Sequence, residues 1–327
     1  MNNQDKQTLS IIFAGHFAID NIIRFKHLNK PTLGGSVTYS SLALKTYKKD
    51  IKIRILSHIG NSNFDLKMLD PLRNHNIDLQ GVKFSEVENT NFILEYFDHT
   101  RVLTLRSKSP NLEIKDIPLE YLENPSDVIV LVPLCNEISY EYTKQILTKF
   151  PNSYVGIDLQ GFIRKIDQNG KVSYIYDDEI ISNLTKIINL IKDKLILKGS
   201  EEEIKLFTNY KTDLYDTMNH FKNYDSNGIY IMTLGDKGSL IYKKGKSMLE
   251  IPAFRPKKIR DETGAGDVYF SIFLYEFLQS DKSWNAIKKA AYLASAAASF
   301  LVEKKGPSGC VAKKKVLNRI KKKDYIK

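Results

Sequence analysis

Short apolar runs rich in β-branched residues recur along this chain of 327 residues, separated by stretches with helical spacing. They fall at residues 11–15, 51–59, 127–132, 153–158, 194–197 and 229–234. A strand buried on both faces reads as such a run, and strands alternating with helices build a parallel sheet covered on both sides. The predicted class is α/β, with a mostly parallel central sheet and helices on both faces. Ligand-binding groups then collect in the loops leaving the carboxyl ends of the strands. Between residues 84 and 105 the pattern changes. Residues 91–97 and 101–105 are β-rich and joined by Asp98-His99-Thr100, which predicts a hairpin in a small sheet projecting from the main body.

A hydrophobic content of 42% is ample for a core, and no internal repeat or low-complexity linker divides the chain, so a single domain over 1–327 is expected. Residues 284–302 are apolar, but they contain Lys288 and Lys289 and are rich in alanine, which predicts a packed helix and no membrane span. The polar start and the short apolar run after it do not form a secretory signal, so a cytoplasmic location is expected. Cys135 and Cys310, far apart and without ligand-spaced neighbours, support neither a disulfide framework nor a zinc site. The net charge of +11 raises nucleic acid as a partner, yet much of the excess lies in Lys304-Lys305 and in lysines 313–315 and 321–323, without interleaved aromatics. An anionic small-molecule substrate or simple solubility accounts for it equally well. The expected partner is a small molecule, with neither membrane nor nucleic acid, on a monomer or homodimer.

Asp261-Glu262-Thr263-Gly264-Ala265-Gly266-Asp267 opens directly into the apolar run Val268, Tyr269, Phe270, Ile272, Phe273, Leu274. Small residues in the first turn of a buried helix leave backbone N–H groups reachable, and the helix dipole favours an anion there. Asp267 would repel such a guest unless the chemistry needs a base, as when a hydroxyl attacks a phosphoryl group. A glycine-rich turn whose aspartate caps its own helix is the simpler alternative. No Gly-x-x-x-x-Gly-Lys-Ser/Thr occurs, which excludes a P-loop kinase.

The septet resembles the signature of the ribokinase-like (PfkB) carbohydrate kinases, departing from it at Glu262. The resemblance spans residues 15–309 and implies an ATP-dependent phosphotransferase acting on a hydroxyl of a small polyol or sugar. It implies that Gly264, Ala265 and Gly266 form the anion hole and that Asp267 is the catalytic base. Asp20, Gly34 and Gly35 match acceptor-pocket positions of the family, although Tyr39 stands where an Asn is common. A β lid at roughly 20–34 and 83–107 is implied as well. Asp158, Gln160 and Arg164 follow a strand end and could bind a polyol or a phosphate, or merely pair within a loop. Lys198 and Ser200 fall on the nucleotide side, and Glu203 matches the family glutamate that positions hydrated Mg²⁺. Thr233, Gly235 and Gly238 match the nucleotide loop, or an ordinary hairpin turn, and Gly309 falls in a glycine loop near adenine. A monovalent cation is a further cofactor that the family admits. Within the family, Asp158 to Arg164 and Leu33 to Ser36 look most like the inositol, sugar and nucleoside kinase branch, so myo-inositol is the expected acceptor. The alternatives are a nucleoside, 2-keto-3-deoxygluconate or fructose as acceptor, or a non-catalytic nucleotide- or sugar-binding regulator.

Overall fold

The structure is a computed structural model that describes residues 8–24, 27–28, 30–97, 100–209 and 212–326. Its centre is a nine-stranded sheet, ordered Leu249–Ile251, Ser239–Lys243, Ile229–Thr233, Leu195–Ser200, Tyr154–Asp158, Val128–Leu131, Ser10–Ala14, Lys52–Gly60, Asp78–Ser85. From Ile229–Thr233 to Asp78–Ser85 every pairing is parallel, and the two strands at the opposite edge run antiparallel to their neighbours.

The apolar runs become interior strands because both of their faces are covered. Phe13 lies between Ile55 and Val130 in register, and with Ile11 it packs into one helical layer containing the helices Ser36–Tyr47, Ala265–Leu278 and Trp284–Leu301. Ile12 and Ala14, pointing the other way, join a second layer with Ile146 of the helix Tyr140–Lys149 and Leu184, Ile187 and Ile188 of Asp178–Ile191. Side chains alternate across a strand, so a strand supplying two cores must be apolar at every position. The helix Ala265–Leu278 is buried along most of its length, as its apolar run requires.

A second sheet stands apart from the first. It is formed by Ala18–Arg24, His27–Leu28, Thr32–Gly34, Asn91–Phe97 and Thr100–Ser107. Lys83 to Ser85 do not belong to it; they complete the edge strand Asp78–Ser85 of the central sheet. Asp20 lies within Ala18–Arg24, where it pairs with Thr32 on one side and Phe92 on the other. The expected hairpin tip at Asp98 and His99 lies outside the described residues. A small apolar cluster of Ala18, Phe92, Leu94, Leu134 and Cys135 joins this sheet to the body.

The chain does not end its ordered structure at Gly309. Lys313–Lys322 is a helix whose Val316 is fully buried, and Arg319 is bonded to Glu303 and lies over the Phe300 ring. Part of the basic cluster is therefore tied to the core. Among the described residues no helix is long and apolar enough to cross a membrane.

Candidate active site

A cleft of about 1500 Å³ opens where the carboxyl ends of the central strands meet the second sheet. Single-ligand sites usually enclose ~300–1,000 Å³, so it has room for two small molecules side by side.

The septet forms its floor. Gly264 takes a left-handed conformation, φ +81°, at the start of the helix Ala265–Leu278, and a Cβ there would lie 2.1 Å from the Tyr39 ring. Only glycine meets both conditions. Asp261 holds the preceding turn, accepting from the Thr263 N–H and hydroxyl and from the Gly306 N–H. The first helical turn has no side-chain cap, so Asp267 is not the capping residue of its own helix. The Ala265 N–H is directed to the Glu262 carbonyl, whereas among the described residues no backbone carbonyl accepts from Gly264, Gly266 or Asp267. Those three amides, and not Ala265, are the ones left open.

Asp158, the last residue of its strand, pairs in direct register with Lys198 of the neighbouring strand, and their side chains form a buried ion pair of 2.9 Å. The Lys198 ammonium sits 2.8 Å from where a Cβ on Gly266 would be, directly at the helix start. Burial disfavours that ammonium, but the charges of Asp158, Glu203 and Asp267 outweigh it and hold its pKa above the usual lysine value. Asp267 is half-buried. Burial first, then the negative charge of Asp158, push its pKa up to about 6, against the opposing effects of Lys198, the Ser36 hydroxyl and Arg164. A carboxylate near 6 is ionised at neutral pH yet basic enough to take a proton.

On the next turn, Ser200 caps the helix Glu201–Phe207. Its hydroxyl accepts from the Glu203 N–H, while Glu203 Oε2 accepts from the Ser200 N–H. Burial raises the pKa of Glu203 despite nearby Lys198, which marks a carboxylate short of positive charge. A hydrated divalent cation fits that deficit. Glu201, by contrast, pairs with Lys205 and belongs to the helix surface. A second group of possible ligands, His16, Cys135 and Glu137, is already committed. Glu137 accepts from the amides of His16, Leu134 and Cys135, and the His16 ring nitrogens face the Pro110 carbonyl and the Thr90 hydroxyl.

Of the residues expected from the sequence, Asp20, Gly35, Gln160, Arg164, Lys198, Ser200, Glu203, Thr233, Gly235, Gly238, Gly264, Ala265, Gly266 and Asp267 all line this cleft. Gly34 lies just behind it, and a Cβ there would strike the Asp20 carboxylate at 1.9 Å. Asp158 stands behind Lys198. Gly309 is elsewhere, buried against the Leu301 carbonyl as a packing residue. Sequence reasoning missed Ser36, whose hydroxyl reaches Gln160 and Asp267, and Tyr174, bonded to Arg164. Ser36 directly follows the Gly34-Gly35 pair and was findable from that position. Tyr174 carries no local signal. Phe254, Ala298, Val302 and Ile326 form an apolar end that the sequence did not point to either.

The model of the pfkB family carbohydrate kinases matches residues 36–314. The chain is 24% identical over 322 residues to a 5-dehydro-2-deoxygluconokinase of Mesomycoplasma hyopneumoniae, covering 91% of this chain and 88% of that one. It is 43% identical to a nucleoside kinase of Methanocaldococcus jannaschii, but over only 76 residues, 23% of this chain and 24% of that protein. Its fold is similar to that of a pyrophosphate-dependent kinase in the ribokinase family, solved with a pyrophosphate analog and myo-inositol. That likeness has a TM-score of 0.74 at 21% identity and covers 91% of this chain and 96% of that one.

Proposed function

The chain belongs to the pfkB family of carbohydrate kinases, an ATP-dependent class acting on sugars and nucleosides, and from that premise we propose how its cleft divides the work. The acceptor is a polyhydroxylated molecule of sugar size, held between Asp20, Gln160 and the second sheet. The triphosphate lies along Lys198, Thr233 and the Gly235 to Gly238 turn, with its base toward Phe254, Ala298 and Val302.

The observation that carries this reading is the meeting of one basic carboxylate with an anion site. Asp267, the open amides beside it and the Lys198 ammonium all face the same space. Asp267 accepts the proton of the attacking hydroxyl as its oxygen bonds to the γ-phosphorus and the bond from that phosphorus to the ADP oxygen breaks. The amides of Gly264, Gly266 and Asp267 and the Lys198 ammonium stabilise the charge on the transferring phosphoryl group. Glu203 would help to hold Mg²⁺, which would supply positive charge to offset that of the donor phosphates. The second sheet acts as a lid that keeps water from competing as acceptor.

Myo-inositol meets the demand for a compact polyol. A nucleoside is the second reading, favoured by the local 43% identity. A silent regulator would have no use for a carboxylate raised to about 6 beside an anion site. The test is Asp267→Asn, assayed by ADP release and by nucleotide binding. Turnover should fall about 10²- to 10⁴-fold with ATP binding retained; turnover within a few-fold of wild type would remove Asp267 from the reaction.

A further inference from the structure

The apolar end of the cleft is built in part by a segment that follows the helix Lys313–Lys322. Residues 324–326 run antiparallel beside residues 253–255. The Arg255 N–H donates to the Asp324 carbonyl and the Ile326 N–H to the Ala253 carbonyl, both at 2.9 Å, and Phe254 pairs with Tyr325 between them. The Tyr325 ring meets Phe254 edge-on, with centroids 4.9 Å apart, and lies 6.3 Å from Tyr292 of the helix Trp284–Leu301. The Arg255–Asp324 ion pair is exposed on both sides and contributes little. The aromatic contact is therefore the main anchor of the segment. It leaves Ile326, the next residue, lining the cleft.

The side chains at this end mainly offer apolar contact. Its two serines are committed, Ser295 donating to the Pro252 carbonyl and Ser299 to the Ala296 carbonyl while accepting from Arg319 Nη1. Ile259 lines the same cleft and is 61% exposed, and the neighbouring Arg260 N–H ties its loop to the Val302 carbonyl at 2.7 Å. A large apolar side chain left open at the lip of a cleft is stabilised by covering a flat apolar guest. The base of a nucleotide whose phosphates reach the septet is such a guest.

We propose that residues 324–326 are part of the donor site, with Ile326 a specificity-determining residue that, together with Ile259, covers the base of the bound nucleotide. This rests on the kinase reading above and deepens it, making the donor a nucleotide gripped through its base and not a bare polyphosphate.

Calorimetric binding of ATP and of tripolyphosphate, which has the phosphates without the base, tests it on wild type, Ile326→Ser and Tyr325→Ala. Wild type should hold ATP at least about 10-fold more tightly than tripolyphosphate, the scale of one or two apolar contacts. Ile326→Ser removes the contact without adding charge, and Tyr325→Ala releases the segment with Ile326 intact. Each should weaken ATP by about 10-fold and leave tripolyphosphate within about two-fold of wild type. Retained tripolyphosphate binding also shows that the cleft of the variant is folded. In ADP-release assays KM for ATP should rise by the same factor, with KM for the acceptor unchanged. Equal weakening of both ligands, no effect of Ile326→Ser, or a rise in acceptor KM alone overturns the proposal. A loss confined to ATP, in a protein whose wild type turns over no acceptor, would sustain the nucleotide site and defeat the kinase reading instead.

Discussion

Asp267 has a pKa raised by burial and by the charge of Asp158, and the sign of its pH dependence follows. As a base it must be ionised, so turnover should rise as pH increases through about 6 and level off above it. Asp158→Asn removes the repelling charge and leaves the Lys198 ammonium without its partner beside Asp267. Both effects lower the Asp267 pKa, so the acid limb of kcat should move to lower pH. An acid limb that stays in place or moves upward would show that Asp158 does not set this pKa. At this scale the sequence was informative wherever a residue type and its spacing were both unusual, as in Gly264 to Asp267. It was silent about how Arg164 is held, by the Tyr174 hydroxyl and the Leu134 carbonyl with no carboxylate in direct contact among the described residues. That property depends on which carboxylates fail to approach it, and no local pattern encodes a missing neighbour.

The interior strands were legible because two cores demand apolar residues at every position, as in Ile11 to Ala14. The edge strand Asp78–Ser85 was not, since its half-exposed residues mix Asp78, Gln80 and Lys83 with apolar ones and show no strand period. The helix Lys313–Lys322 was hidden by its lysines, with Val316 its single fully buried anchor. That anchor gives the helix a measurable role. Val316→Ala should lower stability by about 2 kcal/mol through lost burial. Arg319→Met, which breaks the contact with Glu303, should destabilise further, because removing one partner of a largely buried pair leaves the other charge uncompensated. Denaturant unfolding of both variants would check this, and an unchanged midpoint for Val316→Ala would mean that the helix is not docked in solution.

Across the whole molecule, a rigid sheet positions the charged groups, while the second sheet rests on it through a small contact. The nine-stranded sheet carries Asp158, Lys198 and the turn after Thr233 at or beside its carboxyl edge, each on an interior strand, so their separations are fixed by register. The second sheet is joined mainly by Ala18, Phe92, Leu94, Leu134 and Cys135. A cover joined by a cluster much smaller than the two cores of the body is expected to open and close more readily than the body unfolds. Phe92 belongs to that cluster and also lines the cleft, so trimming it acts on the cover and, among the charged groups, takes away only the ring beneath Arg164. Phe92→Ala should leave ATP binding nearly intact, raise KM for the acceptor and increase ATP hydrolysis without acceptor relative to phosphoryl transfer, because a looser cover admits water. The measurement is the ratio of ADP released to acceptor phosphorylated. A ratio that stays at the wild-type value while KM rises would assign Phe92 to acceptor contact alone and leave water exclusion to other residues.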